Sequence, residues 1–324
     1  MEIISNPTQG EIKKAAKALK DGHLVAFPTE TVYGLGADAT NEKAVSRIYS
    51  VKGRPTDHPL IVHISSINQL DKWAIEIPEY AIKLAKEFWP GPMTLILRKS
   101  SLAKDFITGG QNNVGIRVPA QAVALLLLKE FEKLGGFGIC APSANKFGAV
   151  SPTYAQAVFE EIGPSMDTLD LILDDGFCKI GIESTIIDCT KLEPVILRSG
   201  FITHEYISQL LNIISKPWVE SKIKHSGNFQ SHYAPKTRIL INQTPNEGEG
   251  LVALSSIKTP EGVIRLCSPN NNEEYAHQLY SSFRKADNLG LKAISVFLPD
   301  VTGIGESIID RINKAAAKAF NFSE

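Results

Sequence analysis

The sequence predicts an α/β protein with one large and one small domain. Three observations carry that expectation. Short apolar β-type runs alternate with helical patterns along the chain, which argues for sheets with helices packed on them. The 324 residues suffice for one large domain plus a smaller one, and 43% apolar content is ample for packed cores. A polar stretch broken by Pro217, Gly227 and Pro235 divides the halves. The large domain is expected over residues 1–215, a linker over 216–236 and the small domain over 237–324.

The first segment, MEIISNPTQGEIKKAAKALKDG, lacks the apolar core of a signal peptide and reads as an amphipathic helix. Residues 24–27 read as a buried strand, four apolar residues bounded by Asp21-Gly22 and Pro28. Pro28 removes a backbone donor and stops the ladder. Thr29, Glu30, Thr31 and Tyr33 then emerge at a strand end, facing a cleft. Gly34 and Gly36 are expected to let the backbone turn sharply or approach a ligand closely. Helices are expected at 42–50, 79–88 and 154–162, the last opened by Ser151-Pro152-Thr153. Strands are expected in LIVHIS, MTLILR, 113–119, 138–140 and 186–188. In the small domain, strands near 238–241, 251–254, 262–266 and 293–298 with helices at 273–288 and 306–322 give a Rossmann-like α/β unit.

Several function classes are disfavoured. A formal charge of −1 argues against a tight nonspecific nucleic-acid binder. Cys140, Cys178, Cys189 and Cys267 are scattered with no C-x-x-C pair, so neither a zinc site nor a disulfide framework is implied. No run approaches the roughly 18 apolar residues of a membrane span, so a soluble cytoplasmic chain is expected. GLGADA (34–39) formally fits G-x-G-x-x-A, but its glycines follow a loop instead of leaving a strand directly. There is no P-loop sequence either.

Lys52-Gly53-Arg54-Pro55 places two cations at i and i+2. Pro55 biases Arg54 toward extended geometry, in which i and i+2 share a side. Such a clamp suits phosphate or carboxylate, the arginine binding in bidentate fashion; a lone KGR is more often solvated surface charge. His58 and His63 follow, and a histidine in an apolar strand is more often a hydrogen-bonded core residue. Arg117 interrupts apolar neighbours and so requires an anionic partner or water. Ala141-Pro142-Ser143-Ala144-Asn145, Gly181-Ile182-Glu183-Ser184-Thr185 and Leu197-Arg198-Ser199-Gly200 add hydroxyls, an amide and a cation at strand ends. Together they point to one polar, anionic ligand.

PTETVYGLG, KGRP, the Arg117 strand, APSAN, GIEST and LRSG, in this order and spacing, resemble the YrdC-like domain of L-threonylcarbamoyladenylate synthases. The similarity continues through HYAPK (232–236) to GIGESIIDRINKAA, so it covers nearly the whole chain and the two-domain form of the family. The resemblance implies a YrdC-like twisted mixed sheet with helices, followed by the smaller domain. It implies synthesis of L-threonylcarbamoyladenylate from ATP, L-threonine and bicarbonate with release of pyrophosphate. That is the first step toward N6-threonylcarbamoyladenosine in tRNA. Magnesium is expected on the ATP phosphates.

Carried over motif by motif, the resemblance makes Lys52 and Arg54 the catalytic clamp on the triphosphate. Arg54, His58, Asn113, Ser143, Ser151, Arg198 and Tyr233 would meet ATP, with Asn145 in support. Thr31, His63, Arg117, Ala141 and Ser184 would hold threonine, and no protein metal site is implied. Partners would be a downstream tRNA threonylcarbamoyl transferase and, weakly, tRNA. Tyr233 would be a lid contact from a linker that folds back over the site. The family reads SPGM-x-x-R before HYAP. This chain has His225-Ser226-Gly227-Asn228, then Phe229-Gln230-Ser231, which implies a more flexible lid without the cation. The rival reading is a noncatalytic RNA-binding module using the same cations, and the neutral charge and missing aromatic platform weigh against it. A carbamoyladenylate-using transfer domain usually comes with zinc-finger and acylphosphatase-like segments, which the sequence does not show.

Overall fold

A computed structural model describes residues 1–213, 223–225, 227 and 232–317. The first ten strands are β1 (Glu2–Ser5), β2 (Val25–Phe27), β3 (Gly34–Asp38), β4 (Ile61–His63), β5 (Met93–Arg98), β6 (Asn113–Arg117), β7 (Ile139–Cys140), β8 (Leu171–Asp174), β9 (Thr185–Asp188) and β10 (Val195–Arg198). They form one sheet of order β1-β8-β2-β3-β7-β4-β6-β5-β9-β10. It is mixed: β1, β8 and β2 run parallel, β3 and β7 are antiparallel to their neighbours, and β4–β6 and β5–β9 are parallel pairs. The helices around it are α1 (Gln9–Lys20), α2 (Glu42–Lys52), α3 (Leu70–Trp73), α4 (Glu79–Phe88), α5 (Asp105–Thr108), α6 (Ala122–Lys133), α7 (Ala155–Ile162) and α8 (His204–Leu211).

The N-terminal segment is not one helix. Residues 2–5 pair with β8 as an edge strand, and Asn6, at φ 49°, turns the chain before Pro7. Helix α1 starts only at the Thr8 capping box, where Glu11 accepts the Thr8 N–H at 2.7 Å and Thr8 Oγ1 accepts the Glu11 N–H. It buries Ile12, Ala15, Ala16 and Leu19 with Leu127 and Phe131 of α6. Gly34 and Gly36 make no sharp turn; they belong to β3, antiparallel to β2. A Cβ on Gly36 would lie 2.8 Å from the Phe27 ring and 2.9 Å from the Val25 carbonyl, so the glycine permits close strand packing.

The Lys52–Arg54 segment is not extended. Lys52 is the last residue of α2, and Gly53 caps the helix in the left-handed conformation at φ 63°. The two cations are therefore brought together by a helix terminus.

The second unit has strands β11 (Arg238–Ile241), β12 (Gly250–Val252), β13 (Ile264–Cys267) and β14 (Ala293–Val296), all parallel, in the order β11-β14-β12-β13. Helices α9 (Asn272–Asn288) and α10 (Gly305–Ala316) pack on it. Its core, built on Tyr275, Leu279, Phe283, Ile294, Ile308 and Ile312, continues into Val32, Val150, Ile182 and Tyr233 at the junction with the first sheet. No helix among the described residues is long and apolar enough to cross a membrane.

Candidate active site

The PTET, APSAN, GIEST and LRSG segments converge on a partly open pocket at this junction. Its geometry begins at β6. Arg117 is buried, and its Nη1 donates to Thr31 Oγ1 at 3.0 Å while Nη2 lies 2.7 Å from Glu30 Oε1. The anionic partner that this arginine requires is thus Glu30, whose second oxygen accepts the Ala120 N–H at 3.0 Å. Thr31 is fixed by a local turn: Thr29 Oγ1 accepts the Thr31 and Val32 N–H groups and donates to the Val32 carbonyl.

His63 sits opposite Arg117 in the parallel β4–β6 register and lines the pocket, so it is not simply a satisfied core histidine. Burial first, and the Arg117 charge second, push its pKa down to about 3. The ring is neutral at pH 7, and its Nδ1 has no hydrogen-bond partner among the described residues.

Lys52 and Arg54 have different surroundings. Lys52 is fully buried, and its Nζ donates to the carbonyls of Ser143 and Asn145. Burial, then the Arg54 charge, lower its pKa well below the ordinary lysine range. It braces the APSAN loop and does not line the pocket. Arg54 does, with Nη2 on the Pro59 carbonyl at 2.9 Å and its guanidinium 5.8 Å from the Phe147 ring centre. Burial brings its pKa down to about 10, which leaves it charged at neutral pH. His58 packs edge-on against Phe147 outside the lining, with Nε2 3.7 Å from Asp57 Oδ1. Ala141 and Ser143 both line the pocket, and Asn145 Nδ2 holds the loop through the Lys146 and Ala149 carbonyls.

On the far wall, Arg198 Nε donates to the Ser184 carbonyl at 3.0 Å and Nη2 to Ser184 Oγ at 3.1 Å. Ser184 also shares a hydrogen bond with Thr94 at 2.9 Å. Ser151 is not in the pocket: it is fully buried and donates to Glu183 Oε1 at 2.7 Å. Asn113 is not brought in either. It opens β6, four residues before Arg117, and lines a separate cleft with Glu76, Arg98 and Thr190.

Two titratable lining residues, Glu183 and His232, carried no role in the sequence analysis. Burial alone would raise the Glu183 pKa, but the charges of Arg311 and Arg198 hold it at about 2. His232 is pushed down to about 3, chiefly by burial. Tyr233 and Gly227 complete the described linker wall, and Tyr233 is only 1% exposed, its ring stacked on Tyr280 at 5.9 Å. It therefore joins the second unit's core, where the sequence had offered it none. Asn228 and Ser231 lie outside the described residues. Among the described residues Glu183 is the one carboxylate lining the pocket, and both its oxygens are engaged. No cluster among the described residues could hold a metal ion.

Residues 17–200 match the Sua5/YciO/YrdC family model, described as telomere recombination. Residues 202–317 match the model for the threonylcarbamoyl-AMP synthase C-terminal domain. The threonylcarbamoyl-AMP synthase of Pyrococcus abyssi is 40% identical over 326 residues, covering 94% of each chain. That of Bacillus subtilis is 38% identical, covering 97% of this chain and 95% of its own. The crystal structure of P. abyssi Sua5 complexed with L-threonine superimposes with a TM-score of 0.87 at 37% identity, covering 98% of this chain and 97% of that one.

Proposed function

We propose that this chain, which belongs to the Sua5/YciO/YrdC family and carries its threonylcarbamoyl-AMP synthase C-terminal domain, makes L-threonylcarbamoyladenylate from ATP, L-threonine and bicarbonate. One observation carries the reading: one pocket brings the polar corner of Thr31, His63 and Arg117 together with the guanidinium groups of Arg54 and Arg198, which suit phosphates. Arg117, fixed by Glu30 and Thr31, offers a preset cation to the threonine carboxylate. Neutral His63 adds a hydrogen-bonding nitrogen without a second positive charge, and Ala141 and Ser184 complete the threonine side. Arg54 and Arg198 meet the nucleotide with Ser143 and Tyr233, while Lys52 acts through the APSAN carbonyls.

In the reaction, bicarbonate takes up a proton and loses water to give CO2, and threonine's neutral amine adds to that CO2 and gives up a proton, leaving a carbamate. A carbamate oxygen then attacks the α-phosphorus of ATP, and pyrophosphate leaves. No enzyme nucleophile is needed, so catalysis is positioning plus neutralisation of the phosphates by Arg54 and Arg198. Magnesium enters with ATP, because it binds phosphates and water more readily than a protein cage. The product serves, in the cytoplasm, a transferase that modifies tRNA, which this chain contacts at most weakly. Pyrophosphate release should require L-threonine and bicarbonate together. Equal release with threonine omitted would sink the assignment.

A further inference from the structure

Arg311, on α10 of the C-terminal domain, is fully buried and touches three of the segments that wall the pocket. Its Nε donates to Glu183 Oε2 of GIEST at 2.9 Å, and its Nη2 to the Ser199 carbonyl of LRSG at 2.9 Å. Its guanidinium lies 5.3 Å from the centre of the Tyr233 ring in HYAPK. Asp310 supports the third side, accepting from Nη1 at 2.6 Å. Tyr280 of α9 completes the arrangement by donating its hydroxyl to Glu183 at 3.0 Å. The residues next to these contacts, Ser184 and Arg198, line the pocket with Tyr233 itself.

The neighbouring backbone is built for the same contact. Gly181, at φ 86°, lies so close to α9 that a Cβ would fall 2.5 Å from the Ala276 carbonyl. Ser307 of α10 donates to the Gly200 carbonyl at 3.0 Å. A buried ion pair is poor evidence of stabilisation in itself, because desolvation offsets most of its attraction. A planar fork that reaches three separate segments at once does, however, fix their mutual register.

We propose that Arg311, with Tyr280, is a positioning residue of the active site: from the C-terminal domain it sets the register of the GIEST, LRSG and HYAPK segments through Glu183, the Ser199 carbonyl and the Tyr233 ring. The C-terminal domain is then part of the construction of the pocket and not an appended module. The proposal rests on the reaction assigned above, so its test includes a readout that needs no substrate.

Arg311→Lys keeps the charge but loses the fork, and Tyr280→Phe removes one hydroxyl at nearly constant volume. In both, amide hydrogen exchange at residues 182–185 and 198–200 should accelerate at least tenfold without substrates, with α1 and α6 unchanged. The KM values for threonine and ATP should rise about tenfold for Arg311→Lys and about threefold for Tyr280→Phe. The rate at saturation should change less than the KM values, as expected when ground-state binding is lost. If Arg311→Lys does not fold, Tyr280→Phe decides. Unchanged exchange at 182–185 in a folded variant overturns the proposal, as do unchanged KM values. A wild-type chain that needs no threonine would instead overturn the assigned reaction, and the exchange data would still decide the role of Arg311.

Discussion

Lys52 Nζ donates to the carbonyl oxygens of Ser143 and Asn145 at 2.5 and 2.6 Å, joining the end of α2 to the loop that carries a pocket serine. The first cation of KGRP thus acts from behind the site, and the second from within it.

The two should fail differently when replaced. Lys52→Met removes two charge-assisted hydrogen bonds and leaves buried carbonyls unpaired, a loss of about 2 kcal/mol after the relief of a desolvated charge. Thermal melting should fall by roughly 4–8 °C together with activity. A variant that melts like the wild type but has lost ATP binding would show that Lys52 meets the nucleotide directly.

Arg54→Ala should act chiefly on nucleotide affinity, because its guanidinium lines the pocket. Loss of a charged contact worth about 1.5–3 kcal/mol should weaken ATP binding about tenfold or more. Calorimetric titration of ATP into both proteins checks this; equal affinity would remove Arg54 from the nucleotide site.

Tyr233 is packed against Tyr280 and Arg311, so Tyr233→Ala should behave as a core truncation of about 3–5 kcal/mol. Tyr233→Phe retains the ring and should melt within a few degrees of the wild type. If Tyr233→Ala melts normally and only ATP affinity changes, the residue is a peripheral lid contact.

Acid should destabilise the fold through buried neutral histidines. His63 and His232 have pKa values of about 3 in the folded protein against an ordinary 6.5. Below pH 6.5 the unfolded chain takes up protons that the folded chain refuses, so stability is complete above 6.5 and is lost as pH falls toward 3. Glu183, held at about 2 against 4.5, adds stability present above pH 4.5 and lost below it. Urea unfolding between pH 7.5 and 5 should show a slope approaching about 1.4 kcal/mol per pH unit for each histidine. His232→Gln should roughly halve it. A flat profile would mean that neither ring is buried neutral.

The site was legible in the sequence where chemistry and motif coincide: Thr31, Arg54, His63, Arg117, Ala141, Ser143, Ser184, Arg198 and Tyr233 all line the pocket. Less legible was what supports it. Gly53 adopts the left-handed cap, which local propensity around Pro55 does not reveal. Ser151 faces Glu183 because two loops distant in sequence meet, and no local pattern records that meeting. Helix α6 opens with AVALLLL, seven apolar residues in a row that show no period, and β8 is only four residues long. Strands with long apolar runs, such as β5 and β11, fall where their patterns place them.

The most direct test of the account follows the carbon atom. The protein is incubated with ATP, L-threonine and 13C-bicarbonate, and the adenylate is analysed at once by mass spectrometry. Threonylcarbamoyladenylate one mass unit heavier than the product from unlabelled bicarbonate is expected, with pyrophosphate formed in equal amount. ATP consumption that yields only AMP or ADP, or a threonine adduct without the label, would contradict it.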